Sequence, residues 1–233
     1  MLSIVKSMAL HGLDGYLVAI QVDISVGLPY FEIVGLPDAS VKEAKERVKT
    51  AIKNSGGELF SRRVVVNLAP ANTRKEGSAF DLPIAVGILI ATENVVNPYL
   101  QEFLEKTIFI GELSLDGTIE KVKGALPIAI EAKKLGIRRI ILPEENAKEA
   151  AIIKEMEILP VKNLRQVMDY LNGKIGLKKE LIKNYQTEQE VRYEYDFSEV
   201  KGQENVKRAL EVAAAGRTQL LIDSDLQAQV KLC

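Results

Sequence analysis

The chain has 233 residues, 47% of them apolar, and 31 lysines and arginines set against 32 aspartates and glutamates leave a formal charge of −1. That length and apolar share suit one large globular domain or a domain and a half, while the balanced charge removes any global argument for nucleic acid or anionic membrane and leaves only local patches. The single cysteine, Cys233, excludes an internal disulfide framework; no apolar run reaches membrane-spanning length and MLSIVKSMALHG lacks the form of a secretory signal, so the expected compartment is a reducing cytoplasm.

Three apolar, β-branched stretches come first, at 4–10, 16–26 and 30–34, separated by Gly and Pro, and they read as strands of a meander. Pro37-Asp38-Ala39-Ser40 then opens a helix. Asp38 is placed to cap it, Val41, Ala44, Val48 and Ile52 share one face, and Ser55-Gly56-Gly57 ends it. Residues 63–68 alternate as a strand; after a loop over 70–77, a helix over 80–92 is apolar almost all round and is therefore expected to be buried on several sides. A strand at 107–110 precedes a hairpin over 112–119 with Asp116-Gly117 at its turn. Helix 124–135, strand 138–142, helix 145–154, strand 158–161 and helix 164–171 follow. From 172 to 197 the sequence is charged and aperiodic, which marks a domain boundary.

Chemistry-bearing residues are sparse. His11 is the only histidine and has no metal-ligating companions, so it is read as a turn residue before Gly12. Glu43, Glu46, Asp81 and Glu112 are scattered along the chain and are read as solvated faces or local salt bridges. Two basic clusters are candidate DNA contacts: Arg62 and Arg63 at the start of one strand, and Arg74 and Lys75 in the loop after it. Such contacts would be salt-sensitive and indifferent to sequence.

The segments FEIVGLPDASVKEAKERVKTAIKNSG, NLAPANTRKEGSAFDLPIAVGIL and GQENVKRALEVAAAG, in that order, resemble the YifB/ComM family of magnesium-chelatase-like AAA+ proteins. The resemblance implies a Lon-protease-like domain at 1–171, a charged linker at 172–198 and the start of an AAA+ module at 199–216. The implied fold is α/β (α+β), a mixed sheet with helices packed on it, as in Lon proteolytic domains and a ribosomal small-subunit protein domain. It further implies a cytoplasmic hexamer that acts on DNA in branch migration, with ATP and Mg²⁺ as cofactors of the full-length protein and no membrane partner. Val200 and Gly202 match adenine-side positions. Residues 217–233 depart from the family: they contain no glycine and Lys231 precedes Leu232, so no phosphate loop is expected there, nor any cofactor in this chain.

Active Lon domains pair a nucleophilic Ser with a Lys base. Aligning Lys75-Glu76-Gly77 with the Lon motif puts Ala79 at the nucleophile position, and aligning Gly111-Glu112 to Gly117 puts Leu126 at the base position. Both members of the dyad are missing. Ser78 is one residue out of place, with Lys75 or Lys123 the nearest substitute bases, and is read instead as the cap of the 80–92 helix, with Asp81 favouring the positive end of its dipole. A Lon-like Ser-Lys peptidase and the ATPase subunit of a metal-inserting chelatase are the alternatives.

Overall fold

Leu2–His11 (β1) and Asp14–Ser25 (β2) form a long antiparallel hairpin, in register from Leu2 opposite Asp23 to His11 opposite Asp14. Alternate side chains of β2, among them Val18, Ile20, Val22 and Ile24, are buried, the period-2 pattern of a sheet with one face covered. In this computed structural model the described residues are 1–12, 14–58, 62–181 and 199–216, and the chain divides into two units, Met1–Asn184 and Tyr185–Cys233.

The first three strands are not a meander. Arg63–Ala69 (β4) pairs antiparallel with β2, and Tyr30–Val34 (β3) lies outside β4 and parallel to it, giving the order β1-β2-β4-β3. The reason is burial: β4 hides Val64, Val66 and Leu68 and suits an inner position, whereas β3 leaves Tyr30, Glu32 and Val34 exposed and suits an edge. The crossover between them is helix α1, Ala39–Asn54. The Asp38 carboxylate accepts the Val41 N–H at 2.8 Å as a cap, and Val41, Ala44, Val48, Ala51 and Ile52 are buried. Helix α2, Asp81–Ala91, is buried along its whole length, as its uniformly apolar sequence predicts.

Leu100–Glu105 forms a short helix, α3, that the sequence reading left unassigned, since six residues are too few for a period to show. Thr107–Phe109 (β5), Arg139–Pro143 (β8) and Glu157–Val161 (β9) make a parallel sheet of order β5-β8-β9. Glu112–Leu113 (β6) and Ile119–Glu120 (β7) form the expected hairpin. Helices Ala125–Lys134 (α4), Glu144–Ala150 (α5) and Leu164–Leu171 (α6) complete the first unit. Two apolar cores result, and β1 serves both: Val5 and Ala9 belong to one, Met8 to the other. The Ser7 hydroxyl, bonded to the Phe109 carbonyl at 2.8 Å, ties β1 to β5.

Residues 172–181, assigned by charge to the linker, lie in the first unit. Leu177 packs on the core, and the Glu180 N–H donates to the Ile158 carbonyl at 2.9 Å. The rest of the linker, the tail at 217–233 and Cys233 lie outside the described residues. In the second unit, Glu204–Gly216 is a helix, α7.

Candidate functional site

A cleft of about 370 Å³ is lined by Ser78, Ala79 and Glu112, among others, next to the Gly111 link between β5 and β6. The Gly111 N–H donates to the Ala79 carbonyl and its carbonyl accepts from the Leu82 N–H, both at 3.0 Å, so the link between β5 and β6 grips the start of α2. Only glycine fits there, because a Cβ would approach the Ile119 side chain to 2.8 Å. The grip places Ser78 and Ala79 beside Glu112. Lys121 and Lys123 lie across the cleft, and Met8, Val122 and Ile128 supply apolar wall.

Ser78 does not cap α2. A 3-10 turn, Ser78–Phe80, separates it from the helix, and its hydroxyl donates to Glu112 Oε2 instead. Asp81 does lie in the first turn of α2, and it also forms a salt bridge. It is fully buried, takes Arg47 of α1 in a bidentate pair (Nε to Oδ2 at 2.7 Å, Nη2 to Oδ1 at 3.0 Å) and accepts the Leu113 N–H at 3.2 Å. Burial pushes its pKa up, against the opposing pull of Arg47 and the Leu113 N–H. Glu43 and Glu46 are exposed, as solvated carboxylates should be.

Ala79 faces the cleft and Leu126, half-buried, is the second residue of α4. Neither carries a group that can attack or take a proton. Among the described residues no lysine ammonium hydrogen-bonds Ser78; its partner is a carboxylate. Nor is any group of three or more His, Cys, Asp or Glu there placed to hold a metal ion.

The basic clusters separate. Arg62 and Arg63 are exposed at the start of β4, with the Arg63 guanidinium 5.5 Å from the Tyr30 ring centroid. Arg74 is exposed in the loop beyond the other end of β4, 3.4 Å from Glu76. Lys75 is a correction to the candidate DNA contacts. It is fully buried, its ammonium donating to the Thr73 carbonyl at 2.7 Å and to the Pro70 carbonyl, and burial lowers its pKa. A residue so enclosed holds its own loop and does not reach a phosphate. Val200 and Gly202 are exposed just before α7, with Gly202 at φ +75°.

Sequence reasoning missed Arg47, whose partner is 34 positions away, and Asn146. The buried Asn146 amide brackets Val122 from behind, accepting its N–H and donating to its carbonyl, each at 2.9 Å. A polar residue on the buried face of α5, beside Ala147 and Ala150, was the available signal.

Among known proteins, the family described as subunit ChlI of Mg-chelatase matches residues 20–146. Competence protein ComM of Haemophilus influenzae is 39% identical over 222 residues, covering 94% of this chain and 43% of that protein. The uncharacterized protein YifB of Escherichia coli is 39% identical over 221 residues, 95% of this chain and 42% of its own length. The archaeal Lon protease of Thermococcus kodakarensis is 29% identical over 133 residues, 55% of this chain and 20% of the protease, in keeping with a Lon-like α/β fold. The chain thus spans less than half the length of the ComM and YifB proteins it matches. On these matches it belongs to the Mg-chelatase subunit ChlI family, alongside ComM and YifB.

Proposed function

We propose that the chain is the non-proteolytic, Lon-like part of a ComM-type AAA+ ATPase, organising a cytoplasmic hexamer and guiding DNA for ATP-driven branch migration in recombination and natural transformation. What supports this reading is the cleft that Ala79 lines: its neighbouring hydroxyl, Ser78, is bound to Glu112 rather than to an amine base, and the Lon resemblance puts Ala79 and Leu126 at the dyad positions. A serine hydroxyl without a base is a poor nucleophile, so hydrolysis belongs to ATP on the motor and not to peptide here. Val200 and Gly202 would border the adenine, with the triphosphate and Mg²⁺ held by motor residues outside this chain.

The test uses the full-length protein on a synthetic four-way DNA junction and, separately, on unfolded casein. ATP-dependent conversion of the junction without peptide release is the expected result. Casein turnover that disappears with Ser78→Ala would overturn the non-proteolytic assignment, and ATP hydrolysis that leaves junctions untouched would overturn the DNA role. The 233 residues alone should show no magnesium-dependent ATP binding by calorimetry, since the sequence after Gly216 contains no glycine from which a phosphate loop is built.

A further inference from the structure

Helix α1 exposes Lys42, Lys45, Lys49 and Lys53. At 3.6 residues per turn and 1.5 Å per residue they form a stripe about 80° wide and about 16 Å long on one flank of its exposed face, with Glu46 bordering the stripe and Glu43 toward the other flank. None of these ammoniums has a carboxylate within ion-pair distance among the described residues. Several surface cations on other helices are matched, Lys133 with Glu155 and Lys134 with Glu131 on α4, Arg165 with Asp169 on α6, Lys207 with Glu204 and Arg208 with Glu211 on α7, whereas Lys148 on α5 stands alone without forming part of a row.

The arrangement works against the helix that carries it. Lys45 and Lys49, and Lys49 and Lys53, are like charges at i and i+4, which repel. Lys42 sits in the first turn, at the positive end of the dipole; the first turn itself holds no acidic residue, and the carboxylate at that end is the Asp38 cap. Beyond that end, Lys42 and Arg74 line one depression with Leu36, Pro37 and Asp38, although Arg74 is paired with Glu76 at 3.4 Å and so is not one of the unmatched cations. A row of unmatched cations with steps of about 5 to 6 Å fits a linear row of anions better than a compact one.

We propose that this lysine stripe of α1 is the surface on which the domain contacts the DNA phosphate backbone, in place of the Arg62–Arg63 cluster and the buried Lys75. The proposal deepens the DNA-guiding reading above and rests on it. Binding would be indifferent to base sequence, because the stripe offers only extended ammoniums and no planar donor pairs for base edges.

The test is fluorescence anisotropy of the intact chain, and of the full-length protein, with a labelled mixed-sequence duplex and its single strand over a range of salt. Lys42→Gln, Lys45→Gln, Lys49→Gln and Lys53→Gln together should flatten the log–log salt slope by about 0.9 per lost contact on duplex and about 0.7 on single strand, roughly 3 to 4 in all on duplex. Glutamine keeps helix propensity and removes the repulsion, so the same variant should melt no lower than wild type. Glu46→Gln should tighten binding, a gain that misfolding cannot mimic. Lys133→Gln with Lys134→Gln, on α4, should leave the slope unchanged. Wild-type binding with an unaltered slope in the quadruple variant overturns the stripe and leaves the DNA reading standing. Absence of binding by both proteins at low salt overturns both. A changed oligomeric state in sedimentation with an unchanged DNA slope would assign the stripe to an acidic protein surface and overturn the proposal.

Discussion

Two polar contacts flank the start of α2, and their surroundings differ sharply. Arg47 and Asp81 are sealed: Asp81 is fully buried, the Arg47 side chain is 23% exposed, and the pair pins α1 to α2 and, through the Leu113 N–H, to β6. Ser78 and Glu112 meet at the rim of an open cleft and hold little else. The carboxylate read from sequence as a solvated face or a local salt bridge is a buried salt bridge joining two helices, and the hydroxyl read as a helix cap bonds Glu112 instead. The frame at the start of α2 therefore rests on the sealed pair and on Gly111, and not on the Ser78–Glu112 contact.

The sharpest way to break this contrast is Arg47→Ala. Leaving the Asp81 carboxylate buried without its partner should cost about 3 to 5 kcal/mol in urea unfolding, whereas Arg47→Met with Asp81→Leu should recover most of it. A loss under about 1 kcal/mol would put the two contacts on a par. The next effect is pH-dependent. Asp81 has a folded pKa above its ordinary 3.8, so between those values the folded state holds a proton that the unfolded state has released. Its contribution is then fully present below about pH 4 and is lost as pH rises through the raised value. The stability of wild type relative to Asp81→Asn should accordingly decline over that window, and a rise would mean that Arg47 outweighs burial. Ser78→Ala should cost only about 0.5 to 1.5 kcal/mol, the net worth of one partly exposed hydrogen bond. Smallest of all is Ala79→Ser, expected within about 0.5 kcal/mol of wild type and without peptidase activity, because Leu126 still offers no proton acceptor. Measurable peptide turnover in that variant would mean that Lys121 or Lys123 reaches the new hydroxyl.

What could be read from the sequence was local. Asp38 and the spacing of Val41, Ala44, Val48 and Ile52 mark α1 within a residue or two, and the unbroken apolar run marks α2 as buried. The place of β3 could not be read, since period-2 alternation says which face of a strand is buried and not which strand is its neighbour. Lys75 was misplaced for a related reason. A lysine is exposed by default, and only the return of the 70–77 loop brings the Pro70 and Thr73 carbonyls around its ammonium. Arg47 lay hidden among the charged residues of α1; its difference from the four lysines is positional, pointing toward Asp81 rather than away. The positions Ala79 and Leu126 were picked out only through the Lon resemblance; of the two, Ala79 lines the cleft.

The strand β1 is a wall common to two rooms. With Val5 and Ala9 on one core and Met8 on the other, and with its Ser3 and Ser7 hydroxyls bonded to Gly87 and Phe109, no opening of either core leaves it in place. Although β1 is also an end strand of its sheet, those of its amide protons bonded to β2 should exchange with solvent only when the whole unit unfolds, more slowly than those of the opposite end strand β3. Removing the first ten residues would open both compartments at once, so the unit should behave as a single cooperative body rather than as two subdomains that can be cut apart.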